Sequence, residues 1–267
     1  KVGRYAVQLR DSGALAVGRA RKARMARHPT VRPASMPTAT PLLLAPRLAD
    51  PDVRIADRPF SFLIADGMLR EDARSDLQRD FPNYPEAGFF PHRTEDCGPS
   101  VNALIAEIVA PKFADALGDR LGVPNMSKLP ALVTLCSRLN RRHGTIHTDS
   151  KSKVLTALVY LNTDWPHGSP GCLRFLRNID DIESLVVPEL LPVYGNLAAF
   201  RRADNSFHGH LPHEGERMVV QVAWLTSEEE LLRKQKRGRF THWFKKLLGS
   251  LDKRFGAGRD KNASHRD

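Results

Sequence analysis

The run HGTIHTDSKSKVLTALVYLN, residues 143–162, decides the fold. Its second half is a short apolar stretch dense in Val, Leu, Thr and Tyr, bounded by Ser/Lys on one side and Asn on the other. That is the pattern of a buried β-strand and too short for a membrane span. Its first half sets His147 and Asp149 two residues apart. On a strand, residues i and i+2 share a face, so both side chains would point into one interior.

Working outward, the same texture continues to the end of the apolar sequence. ALVTLCSRLN, TIHTDSK, VLTALVYLN, GCLRFLRN, GNLAAFRR, SFHGHLP and RMVVQVAWL alternate with Gly, Pro, Asn and Asp turns from Ala131 onward. Regularly spaced short strands predict an antiparallel sandwich or barrel. Ahead of them the period changes. Leu69, Ala73, Leu77 and Phe81 have helical spacing, and PSVNALIAEIVAPKFADALGDRLG reads as a second helical region, bent near Pro111 and closed by Gly122. The expected fold class is α+β, a jelly roll with helices packed on one sheet. The expected boundaries are a disordered basic leader over 1–46 and a folded domain over 55–232, with ordered packing starting near Phe60. Within that domain, 60–130 is helical and 131–226 forms the β core. A basic helical tail occupies 233–267.

Charge supports that division. The chain carries a net +11, but residues 1–50 hold ten Lys/Arg against two Asp, and 233–267 hold twelve against three. The middle is mildly acidic, with nineteen basic and twenty-five acidic residues. The basic pI therefore belongs to the ends, and nucleic acid is disfavoured as a partner. Three dispersed cysteines make neither a disulfide framework nor a zinc knuckle, which suits a reducing cytoplasm. In the tail, Phe240, Trp243, Phe244, Leu247, Leu248, Leu251 and Phe255 fall near helical spacing among Lys and Arg. Such a helix can lie on an anionic membrane surface, here the inner one, or dock on protein.

His147 and Asp149 are two ligands of a facial metal site, and NSFHGHLPHEGERMVVQVAWL must supply the third from His208, His210 or His213. Two histidines and one carboxylate leave three positions open, the arrangement of non-haem Fe(II) oxygenases. Arg217 lies nine residues after His208 at the head of a strand, where a buried guanidinium needs an anion. The nine-residue interval, fitting a turn and return strand, favours His208; His143 reads as a surface or substrate-side residue, and His92 and His167 as solvated.

Between Ala131 and Leu225 the sequence resembles the Fe(II)/2-oxoglutarate-dependent dioxygenase superfamily, in its prolyl-4-hydroxylase-like branch. The resemblance rests on HTD, YLN followed by DW, GCLRF, GNLAAF, and the His-to-Arg interval in HGHLPHEGER. It implies a double-stranded β-helix in which His147, Asp149 and His208 ligate Fe(II). It implies that Arg217 and Tyr160 hold the far carboxylate of 2-oxoglutarate, with Thr156 nearby, and that ascorbate accompanies the reaction. Oxygenation rather than halogenation is implied, because related halogenases replace the residue at the position of Asp149 with a small one. The implied activity is hydroxylation of a small molecule or peptide with release of succinate and CO2. Arg141, Arg142, Lys151, Lys153, Arg174, Arg201, Arg202 and Asn205 are expected around the mouth, favouring a polar or anionic substrate. The rival readings are a non-catalytic metal- or ligand-binding β-helix module, a membrane-associated scaffold, and a cupin-like enzyme without 2-oxoglutarate.

Overall fold

The computed structural model describes residues 40–166 and 170–236. Residues 1–39 of the expected leader, His167 and the aromatic tail beyond residue 236 lie outside the described residues.

Among the described residues, nine strands form two sheets. The strands are β1 (Arg54–Ala56), β2 (Phe62–Ala65), β3 (Phe90–Pro91), β4 (Ala131–Leu139), β5 (Lys153–Tyr160), β6 (Arg174–Phe175), β7 (Leu197–Arg201), β8 (His208–Gly209) and β9 (Gly215–Leu225). Seven of them build one antiparallel sheet in the order β1-β2-β7-β5-β9-β4-β3. The other two, β6 and β8, pair antiparallel in a small second sheet. Bridges Leu173↔Leu190, Leu176↔Leu185 and His147↔His208 widen that second layer. This is a jelly roll, or double-stranded β-helix. Its interior is walled by Phe62, Leu158, Tyr160, Phe200 and Val219 from the large sheet, and by Leu173, Phe175 and Leu190 from the small one.

Helices cover the other face of the large sheet. They are α1 (Arg74–Asp80), α2 (Pro99–Val109) and α3 (Pro111–Arg120). Leu77, Leu104, Ile108, Phe113 and Leu117 pack with Leu155, Ala157, Val159, Val222 and Trp224 in one core. Alternate residues of β5 therefore serve two different cores, which is why VLTALVYL shows no polar face. The break at Pro111 is as expected. Ala110 is extended (ψ 146°) between α2 and α3, because a residue before proline is pushed out of the helical region. Gly122 closes the pair at φ +71°, a conformation side chains resist.

Packing begins earlier in the chain than Phe60. Leu43 and Leu48 are buried, and the Leu42 and Leu43 N–H groups donate to the two carboxylate oxygens of Glu107 on α2 at 3.0 and 2.8 Å. The segment TIHTDSK is not a strand. It makes one isolated bridge, at His147, and Asp149 lies in irregular backbone beyond it. No helix among the described residues is long and apolar enough to cross a membrane.

Candidate metal centre

His147, Asp149 and His208 converge, each offering one ligand atom within 4.8 Å of the others. The convergence has a backbone cause. His147 and His208 exchange both main-chain hydrogen bonds at 3.0 Å, so their side chains stand side by side, with ring centroids 4.3 Å apart. Asp149, two residues further on, turns inward from the loop and is buried, as is His208, while His147 faces solvent.

Both imidazoles are held in one tautomer. His147 Nδ1 lies 2.8 Å from the Thr145 carbonyl and His208 Nδ1 lies 2.9 Å from that of Ser206. A carbonyl can only accept, so Nδ1 carries a proton on each ring, and the tautomer this selects for a neutral ring leaves the lone pair on Nε2. Burial, with His147 alongside, pushes the His208 imidazole down to about 4, so it is neutral and fit to ligate at physiological pH. Two imidazoles and a carboxylate form a donor set suited to Fe(II).

Asp149 is an ionised acceptor. Burial alone would raise its carboxyl. The Lys153 charge, His208, and hydrogen bonds from Lys153 and Thr156 more than reverse that and hold it at about 2. Lys153 Nζ donates to Oδ1 and Thr156 Oγ1 to Oδ2, both at 2.6 Å. Arg202 Nε adds a bond to the Asp149 backbone carbonyl at 3.2 Å. Thr156 thus sits on the Asp149 carboxylate rather than beside Tyr160. The Lys153 contact is not visible to strand reasoning. Its only trace in sequence is the four-residue interval in DSKSK, whose turn brings the Lys153 N–H to the Ser150 carbonyl.

Deeper in the same barrel, Arg217 is 3% exposed and Tyr160 fully buried. Arg217 donates through Nε to the Gly171 carbonyl at 3.0 Å and through Nη2 to the Tyr160 hydroxyl at 3.2 Å. No carboxylate among the described residues pairs with it. Burial raises the Tyr160 phenol despite Arg217 beside it, so the hydroxyl keeps its proton.

Other expected residues fall elsewhere. Arg174 is not at the mouth. It is buried and clamped by Glu183 and Glu189 at 2.6 and 2.8 Å, because the carboxylates of the following loop fold back over it. His92 is not simply solvated, since Nε2 meets Asn102 Oδ1 at 2.8 Å. His210 is buried, bonds the Leu211 carbonyl at 2.7 Å, and packs over Gly144. His213 packs against Trp165 in a tilted contact, ring centroids 4.7 Å apart, and is not one of the clustered ligands. Arg141 faces Glu214 at 3.3 Å, and Asn205 donates to the Pro59 carbonyl at 2.7 Å. A cavity of about 450 Å³ beside Trp165 is lined by Asn162, Asp164, His213 and Glu216 among others, none of them from the triad.

No protein-family model matches the chain, and no curated protein matches it. It is similar in structure to several solved proteins. A prolyl-4-hydroxylase from Pseudomonas putida aligns at 16% identity and a TM-score of 0.46, over 68% of this chain and 97% of that one. The viral collagen prolyl hydroxylase of Paramecium Bursaria Chlorella virus-1, in its 2-oxoglutarate complex, aligns at 13% and 0.43, over 62% and 96%. HygX from Streptomyces hygroscopicus, with nickel and 2-oxoglutarate bound, aligns at 15% and 0.39, over 62% and 83%. At such identities, and with TM-scores below 0.5, the chemistry has to be argued from the residues.

Proposed function

We propose that the protein is an Fe(II)- and 2-oxoglutarate-dependent oxygenase of the prolyl-4-hydroxylase-like branch. In this reading it hydroxylates a C–H bond of a polar or anionic small molecule or peptide. The observation that carries the reading is a pairing inside one barrel. A His-Asp-His cluster with both imidazole Nε2 atoms free stands in the same interior as a buried guanidinium that has no carboxylate partner among the described residues. A buried, unpaired charge is costly, and an anionic ligand would offset it. A cosubstrate with a metal-chelating end and a second carboxylate satisfies both features.

His147, Asp149 and His208 would hold the ion. With iron and 2-oxoglutarate bound, O2 would be the oxidant: substrate C–H and 2-oxoglutarate would each give two electrons, one oxygen atom ending in C–OH and the other in succinate, with CO2 released. Everything else falls to the chain. Thr156 and Lys153 keep the Asp149 carboxylate ionised and fixed in rotation. Arg217 and Tyr160 would fix the far carboxylate of the cosubstrate by charge-assisted hydrogen bonds. The Gly171 carbonyl holds the guanidinium in place beforehand. The apolar wall of Leu158, Phe175, Phe200 and Val219 keeps water out.

The test is anaerobic titration of Fe(II)-loaded protein with 2-oxoglutarate, read as the weak visible charge-transfer band of the chelate. The band is expected in the wild type, weakened in Arg217→Ala and gone in His208→Ala. Folded, iron-loaded wild-type protein that shows no band would overturn the reading.

A further inference from the structure

Beside the metal cluster lies a second group of polar side chains, of which the proposed reaction uses only Lys153, to hold Asp149. Ser150 to Lys153 form a tight turn directly after Asp149, with Lys153 N–H on the Ser150 carbonyl at 2.9 Å. The helical stretch 228–236 brings Lys234 onto that turn, and Lys234 Nζ donates to Ser150 Oγ at 3.0 Å. Ser150 Oγ in turn lies 3.0 Å from Ser152 Oγ. The two ammonium groups are close enough to disfavour each other. Burial, and then the Lys153 charge, lower Lys234 from its ordinary value.

The charges around the turn do not balance. Asp149 answers Lys153, and Asp204 answers Arg202 at 2.6 Å. Glu230, the acid nearest Lys234 on its own helix, is taken by Arg233 at 2.6 Å. Lys151 is exposed on the same turn. Lys234 therefore has a hydroxyl for a partner and, among the described residues, no carboxylate at ion-pair distance. Donors are also in surplus. Each ammonium has three N–H groups, and the contacts described use one of each. The two serine hydroxyls have two protons and share one bond, so one proton remains to donate. A partly exposed turn with excess positive charge, spare N–H groups and a spare O–H suits an oxyanion.

We infer that Lys153, Lys234 and the Ser150–Ser152 hydroxyl pair form an anion cradle at the rim of the metal centre, which receives a phosphoryl or carboxylate group of the substrate. The inference rests on the oxygenase reading for the word substrate, and on the turn alone for the anion. Because Lys153 also holds Asp149, the bound anion would sit next to the metal ligands, and the substrate would be tethered by its charged end. The helix carrying Lys234 then belongs to the binding site.

The test uses the full chain, metal-free, titrated calorimetrically with inorganic phosphate and, separately, with acetate at constant ionic strength. One of the two anions should bind to the wild type, with phosphate the tighter if the natural group is phosphoryl and acetate if it is carboxylate. Lys234→Met should weaken that binding by at least about fivefold, the effect of losing one charge-assisted hydrogen bond. Lys234→Arg should recover most of it. Binding of neither anion to the wild type, or equal binding to Lys234→Met, would overturn the cradle. Mn(II) affinity, measured by electron paramagnetic resonance on separate samples of the same proteins, keeps the two readings apart. Wild-type protein that takes up phosphate but not Mn(II) would remove the oxygenase reading and leave the anion site standing. The reverse would remove only the cradle.

Discussion

Thr156 Oγ1 and Lys153 Nζ each lie 2.6 Å from one oxygen of Asp149, yet they act on a metal in opposite directions. The threonine is a neutral donor that orients the carboxylate. The lysine orients it too, but brings a positive charge beside the place a cation would occupy. Thr156→Val keeps the shape and removes the donor, so it should weaken divalent-metal binding about tenfold, the usual cost of losing such a supporting bond. Lys153→Met removes a competing charge and should tighten binding about fivefold, roughly 1 kcal/mol of relieved repulsion. Competition against a chromogenic chelator measures both. Equal weakening in the two variants would mean that Lys153 only orients.

Proton linkage at His210 belongs to the same scale. Burial, then Arg217, push its imidazole down to about 4 from an ordinary 6.5. The folded ring stays neutral where an unfolded one would be protonated, so unfolding takes up a proton in that window. The stability it contributes is complete above about pH 6.5 and is lost as pH falls toward 4. In metal-free protein, His210→Gln should flatten the fall in unfolding free energy between these pH values by up to about 3 kcal/mol, as 2.5 pH units imply. Denaturant titrations at pH 7 and pH 4.5 give the difference. Identical slopes for wild type and variant would show that His210 is not the group responsible.

At the scale of elements, what the sequence made legible followed periodicity. Strands β4, β5, β7 and β9 stand where short apolar runs predicted them, and α2 and α3 meet at the proline that marks their boundary. Strands β1 and β3 carried no readable signal, because one is three largely exposed residues and the other two residues ending in proline. β2 is buried on both faces, and four such residues show neither period. The pairing of His147 with Asp149 was legible for a reason the structure changes. They converge through a bridge and an inward-turning loop, not through a shared strand face, so the spacing was informative and the geometry behind it was not. Lys153 reads from sequence only as a charge at the mouth, because its i,i+4 contact with Asp149 across a turn has no periodic signature. The element that makes the convergence possible is the turn at 140–146. Gly144 sits there at φ +94°, and a Cβ at this position would stand 2.3 Å from the His210 ring. Gly144→Ala should therefore cost at least about 2 kcal/mol, strain plus displacement of the ring, read as a lowered melting temperature. It should also weaken metal binding, because His210 N–H bonds the Gly144 carbonyl one residue from β8, which carries His208.

For the molecule as a whole, composition places the start of folded structure near Phe60, whereas burial places it at or before Leu43. The segment 40–49 is short, proline-containing and next to an arginine-rich stretch, so it reads as leader. Its few apolar residues nevertheless complete the helical core. Leu43 and Leu48 join the cluster formed with Leu104, Ile108 and Trp224, and Glu107 on α2 fixes the segment by accepting two of its backbone N–H groups. A chain begun at Phe60 would also lose β1, leaving β2 as a fully apolar edge open to pairing with another chain. Burying two leucines contributes about 4 kcal/mol, a large part of the stability of an ordinary domain. A chain begun at Thr40 should therefore unfold cooperatively near the full-length midpoint. One begun at Phe60 should melt well below it or aggregate. Glu107→Gln in the Thr40 chain separates the two contributions. It keeps the leucines and weakens only the two charge-assisted bonds, so a drop much smaller than that of the Phe60 chain assigns the stability to burial, whereas an equal drop assigns it to the carboxylate that holds the segment in place.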